Sequence, residues 1–108
     1  MDMPGIINTY FEADRRNDAD ALLDAFAVEA VVEDEGARHQ GVAAIREWWV
    51  AAKKAAQYVA EPLECTVDGD KALLRAKVSG QFPGSPVTLA YDFAIKDGKI
   101  VSLEIQYD

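Results

Sequence analysis

The chain predicts an α+β domain, cone-like in shape, in which three N-terminal helices pack into a strongly curved mixed or antiparallel β-sheet. Three observations carry that expectation. The apolar pattern switches from a helical period near 3.6 to a strand period of 2 close to Tyr58. Short turn sequences, Asp68-Gly69-Asp70, Pro83-Gly84-Ser85-Pro86 and Asp97-Gly98, divide the second half of the chain into hairpin-linked strands, which favours antiparallel pairing. Helices precede those strands in a block, the order of an α+β domain and not of an alternating α/β one. With 108 residues, half of them hydrophobic, residues 1–108 read as one domain with a substantial core.

The elements come in this order. Pro4 and Gly5 suit a helix start, and Ile6, Ile7, Tyr10, Phe11 and Asp14 form an i, i+4 stripe, so a helix is predicted over about 4–16. Arg15-Arg16-Asn17-Asp18 interrupts it, and Asp18 is a good N-cap for a short helix from Ala19 to Phe26. A strand runs on to Asp34 almost without a loop. Ala30, Val32 and Asp34 share one face and Val31 and Glu33 the other. A polar loop through Gly36 and Arg38-His39-Gln40 leads to a helix from Val42 to about Gln57, with Ile45, Trp48, Trp49, Ala52 and Ala56 on one side.

After Tyr58, Leu63, Cys65 and Val67 alternate with Glu64, Thr66 and Asp68, and Pro62 marks a bulge or an edge position. Ala72, Leu74, Ala76 and Val78 face inward from the next strand. Val87, Leu89, Tyr91, Phe93 and Ile95 face inward from the one after, and Val101, Leu103, Ile105 and Tyr107 from the last. Thr88, Ala90, Ala94, Ser102 and Ile100 are assigned to the outer face. Small and apolar residues there are compatible with a twofold contact, so a homodimer is expected.

Composition narrows the partners. Nineteen acids against 11 bases give a net charge of −8, which argues against nucleic acid and against an anionic membrane surface. The sequence has no apolar run long enough to span a bilayer, and Met1-Asp2-Met3-Pro4 lacks the features of a signal peptide. Cys65, the single cysteine, forms no internal disulfide and suits a reducing cytoplasm; an inert, buried thiol is expected.

The order of elements resembles the nuclear-transport-factor-2-like fold over the whole chain, and within it the small SnoaL-like proteins and the ketosteroid isomerases. AVVEDEGARHQGVAAIREWW and DGKIVSLEI carry the resemblance. The fold hosts isomerases, dehydratases, polyketide cyclases and noncatalytic modules, so it does not decide the activity. The resemblance implies Asp34, in VVED, as the general base and Tyr10, on the first helix, as a hydrogen-bond donor. For the second donor, a protonated aspartate in that family, the motif offers Asp92. Strand alternation turns Asp92 outward and Tyr91 inward instead. The family often has proline after the base; here Glu35 is next.

Asp34 is the anomaly that the residues themselves present, an acid continuing an apolar face. Two readings stand. It caps the Gly36 turn at the rim of the sheet, or it is a general base at the mouth of an apolar pocket. Tyr10 is correspondingly a core ring or the donor to an enolate oxygen. Phe26, Val32, His39, Trp49, Tyr91, Phe93 and Tyr107 are the pocket-lining candidates, with ordinary core as the other reading of the aromatics and a solvated loop as that of His39. One histidine without a companion argues against a metal site, and no phosphate-binding loop or nucleophile elbow is present. Two functions are compatible with this pattern. One is a cofactor-independent proton-transfer enzyme of isomerase, cyclase or dehydratase type acting on a small apolar or carbonyl-containing ligand. The other is a noncatalytic ligand-binding or dimerisation module. An apolar cavity touching Asp34 and Tyr10 favours the first, and a filled interior the second.

Overall fold

A computed structural model describes residues 2–108; Met1, the first residue of the Met1-Asp2-Met3-Pro4 start, lies outside them. Helix α1 spans Gly5–Arg15 and buries Ile7, Tyr10, Phe11, Ala13 and Asp14, the face that the i, i+4 stripe selects. Helix α2 spans Ala19–Asp24 and is capped as its sequence demands, the Asp18 carboxylate accepting from the Ala21 amide at 3.1 Å. Phe26, assigned to this helix from the sequence, opens strand β1 (Phe26–Asp34) instead.

Strand β2 (Ala37–Gln40) corrects the polar loop expected there. It pairs antiparallel with β1 from Asp34↔Ala37 to Val31↔Gln40, which leaves Glu35 and Gly36 as a two-residue hairpin turn. Both have positive φ, +53° and +77°, so the turn is of the primed kind that matches strand twist. Helix α3 (Val42–Ala56) starts after Gly41 and ends at Gln57 in the left-handed conformation, burying Ile45 and Trp49.

The remaining strands are β3 (Val59–Asp68), β4 (Lys71–Ser79), β5 (Val87–Lys96) and β6 (Lys99–Tyr107). They form an antiparallel meander, and no helix interrupts residues 59–108. The full order is β2-β1-β6-β5-β4-β3, a six-stranded open sheet with β2 and β3 at its edges. One pair departs from the antiparallel expectation: β1 runs parallel to β6, with Val32 opposite Leu103 and Asp34 opposite Ile105, so the sheet is mixed. Hairpin turns report only on strands adjacent in sequence, and the partner of β1 lies at the far end of the chain.

Pro62 is at both of its expected positions, on an edge strand and next to a register shift between Pro62 and Glu64. A second irregularity, between Ala94 and Ile95, sets Ile95 opposite Ile100 and Ala94 opposite Ser102, leaving Val101 as the extra residue. The alternation flips across it. Ile100 is therefore fully buried, not on the outer face where unbroken alternation puts it. Such bulges curve the sheet around the helices. The core is filled by Ile7, Leu22, Val32, Ile45, Leu74, Phe93, Ile100 and Leu103, with Tyr10 edge-on to Phe11, Phe26 and Phe93.

Beyond β4 the chain passes very close to the end of α3. The Gln81 amide donates to the Ala56 carbonyl at 2.6 Å, and a Cβ on Gly80 would lie 2.6 Å from that same oxygen and 2.9 Å from the Tyr58 Cα. Glycine is required there by space, and the contact fixes the segment carrying Phe82 and Pro83 against the end of α3.

Candidate functional site

The concave side of the sheet is not completely filled by the helices. A cavity of about 630 Å³ remains between the C-terminal half of α3 and the ends of β1, β4, β5 and β6. Asp34 is on its wall, half-buried, where the period-2 pattern of β1 turns it inward. Trp48 of α3 donates its indole N–H to Asp34 Oδ2 at 3.0 Å and lines the cavity beside it. Asp34 Oδ1 has no hydrogen-bond partner among the described residues. Much of the remaining wall is apolar: Val78, Phe82, Val87, Leu89 and Ile105, with Tyr58, Tyr91 and Tyr107 adding phenol rings.

Behind this wall is a buried polar cluster centred on Asp14, the one charged residue among the buried set. Its Oδ1 accepts from Trp49 Nε1 at 2.8 Å and from the Tyr58 hydroxyl at 2.9 Å. Lys53 Nζ is 3.3 Å from the same oxygen, donates to the Tyr58 carbonyl at 2.9 Å and sits 3.9 Å from the centre of the Tyr58 ring. A carboxylate is tolerated at this depth because it is both paired and hydrogen-bonded. The cluster connects α1, α3 and the start of β3, and it holds Tyr58 in place on the cavity wall.

A family model described as a SnoaL-like domain matches residues 7–103. The chain belongs to the SnoaL-like family. Its fold is shared by a candidate polyketide cyclase from Sinorhizobium meliloti at 75% identity and a TM-score of 0.96, covering 98% of this chain and 97% of that one. A protein with a ketosteroid isomerase-like fold from Catenulispora acidiphila, crystallised with trimethylamine, superposes at a TM-score of 0.88 and 21% identity, covering 99% and 88% of the two chains. TerC, co-crystallised with polyporic acid, superposes at 0.85 and 16% identity, covering 95% and 88%. At those identities the last two share the fold alone. No curated protein matches the chain.

In this SnoaL-like chain Asp34, Tyr91 and Tyr107 of the sequence-derived candidates lie on the cavity wall. Tyr91 is buried, whereas Asp92, the motif-based alternative, is exposed, as strand alternation requires. Tyr107 is at the mouth and three-quarters exposed. Phe26, Val32, Trp49 and Phe93 belong to the packed core and not to the wall. His39 sits on β2, its ring 6.1 Å from that of Trp48, and also stays off the wall. Tyr10 is packed behind the wall among aromatic rings. Asp14, Trp48 and Tyr58 are the residues that reading the sequence for chemistry missed. The signal for Asp14 was present: an acid on the apolar stripe of α1.

The phenols share one electrostatic field. Burial, the largest effect, pushes the Tyr10 hydroxyl well above the usual phenol range, and Tyr58, Asp14, Tyr91 and Asp34 add to it. Burial followed by the charge of Asp14 does the same for Tyr58. Tyr91 is raised by burial and then by Asp14 and Asp34. All three are therefore neutral donors at working pH. Among the described residues no fully buried side-chain polar atom lacks a hydrogen-bond partner. Among the described residues the Tyr10 and Tyr91 hydroxyls have no such partner, so the slight residual exposure of these residues includes their oxygens. Cys65 is half-buried, less than the buried position expected from the sequence, and burial raises its thiol above the usual range.

Proposed function

We propose that this SnoaL-like chain binds a small, largely apolar, carbonyl-bearing molecule in the cavity and moves a proton on it without a cofactor, as an isomerase, cyclase or dehydratase does. The observation that carries this reading is Asp34: a carboxylate on the cavity wall, one oxygen held by the Trp48 indole and the other free. Asp34 removes a proton from the carbon next to the carbonyl. Negative charge moves to the carbonyl oxygen, where the neutral Tyr91 phenol donates to it from the wall, while Tyr10, packed behind the wall, supports that wall from the core. Tyr58 supports the same region but its hydroxyl is committed to Asp14. The likeness to a candidate polyketide cyclase supports the cyclase member of this set, and the two neighbours crystallised with small molecules support a small-molecule pocket.

The hydrogen bond from Trp48 favours a second reading, in which Asp34 pins α3 to the end of β1 and the chain is a noncatalytic binding module. One experiment separates the two. A panel of ketones and enones is incubated with the protein in heavy water, and exchange next to the carbonyl is followed by NMR. Proton transfer predicts exchange that Asp34→Asn lowers steeply while ligand binding survives. Exchange that is absent, or unaffected by Asp34→Asn, excludes Asp34 as a base. We further propose a cytoplasmic homodimer joined through the outer sheet face, around Thr88, Ala90, Ala94 and Ser102. Sedimentation showing only monomer at tens of micromolar, a concentration chosen on the order of ordinary dimer affinities, rules that assembly out.

A further inference from the structure

Resting on the reading of the cavity as a binding pocket, we propose that its ligand is an organic cation, with a quaternary or protonated tertiary ammonium on an apolar body. The ionisable groups on the wall are Asp34, Glu35 and three phenols; lysine, arginine and histidine are absent from it. The cation nearest in function, Lys53, lies off the wall and is engaged by Asp14 and the Tyr58 carbonyl. The charge of Asp14 is thus balanced inside the fold. That of Asp34 is not, since it has no ion-pair partner among the described residues. An unbalanced carboxylate beside low-dielectric walls gives the cavity a negative potential, which the chain's net charge of −8 reinforces.

The aromatic lining supplies the second half of the recognition. Trp48, Tyr58, Phe82 and Tyr91 surround the space, and rings around a carboxylate are suited to an ammonium that is too weakly hydrated to prefer water. The Tyr58 ring already engages one ammonium, that of Lys53. The Tyr91 hydroxyl, without a partner among the described residues and on a residue only 3% exposed, is available to a polar atom on the ligand body. An anion of equal size meets Asp34 and finds no positive side chain on the wall.

The test compares three para-substituted phenols of similar size: para-hydroxyphenyltrimethylammonium, its neutral carbon isostere para-tert-butylphenol, and para-hydroxybenzoate. Binding is read from the Trp48 indole N–H in NMR spectra, since that group is part of the wall. The ammonium compound is expected to bind at least about tenfold more tightly than the isostere, with the benzoate weakest. Asp34→Asn, checked for an unchanged spectrum elsewhere, is expected to reduce that preference, and Glu35→Gln, at an exposed turn position, to reduce it less. Equal or tighter binding of the neutral isostere overturns cation selection and leaves the pocket reading intact. Failure of all three to bind overturns both.

Discussion

Raising the pH tests the buried phenols directly. Tyr10, Tyr58 and Tyr91 all have their proton affinity raised by burial, with Asp14 adding to each. The folded state therefore keeps three protons that the unfolded chain gives up near pH 10. Their contribution to stability is fully present below that pH and is lost as the pH rises above it. Each such group costs about 1.4 kcal/mol per pH unit once the unfolded phenol is ionised. Three together remove about 4 kcal/mol by about pH 11, and roughly twice that one unit higher. Against a typical domain stability of about 5–15 kcal/mol, that is enough to unfold the chain in strong alkali. The assay uses a Tyr107→Phe background, so that every phenolate signal comes from the three interior rings. Phenolate absorbance and circular dichroism should change together in one cooperative step. Tyr91→Phe should remove about a third of the alkaline slope measured from urea midpoints. Gradual phenolate formation with the fold intact at about pH 11 would refute the reasoning, because it would mean that these hydroxyls ionise in place.

Two further outcomes are expected from the packing. Asp14→Ala leaves Lys53, only 11% exposed, without its counter-charge, and also strips the acceptor from Trp49 and Tyr58; a loss of about 3–5 kcal/mol is expected by urea unfolding, and a loss under about 1 kcal/mol would show that the pair adds little. Gly80→Ala drives a methyl group against the Ala56 carbonyl and the Tyr58 backbone, neither of which is a flexible side-chain end; it should cost about 1–3 kcal/mol and weaken ligand binding by shifting Tyr58, read as a lower urea midpoint and a raised Kd for the same probe.

Period-2 alternation was the most informative signal for the site. It turned Asp34 inward on β1 and chose Tyr91 over Asp92 on β5, against the motif match. Where it failed, the backbone had departed from regular pleating. Ile100 is buried because Val101 is an extra residue in its strand, and the local sequence, Lys99-Ile100-Val101-Ser102, contains nothing that announces a bulge. Strand β2 escaped notice because it is four residues long and largely exposed, so Arg38, His39 and Gln40 show no apolar face. Its turn was also hard to read, since Glu35 takes a left-handed conformation usually given to asparagine, aspartate or glycine. Asp14 stood on the apolar stripe of α1, but its partners Trp49, Lys53 and Tyr58 are 35 to 44 residues away in sequence. Periodicity reports which way a side chain points and not what it meets. The cavity itself was legible only as a consequence of a curved sheet, since its volume depends on side chains from four strands and a helix.

The place of β6 in the sheet bears on how the sheet assembles. Strand β6 lies between β1 and β5 and, among the described residues, is the only strand that bridges the first hairpin and the rest of the meander. Without residues 99–107, β1 and β2 have no strand partner but each other among the described residues, and their hairpin would rest on α2 and α3 alone. The surface that the helices bury against is complete only once β6 is in place. Pairing β1 with β6 also closes a loop that contains every other strand and α3, which places the folding rate toward the slow end for a domain of this size. Deleting residues 99–107 would thus split the sheet in two, because it removes the strand on which both halves depend.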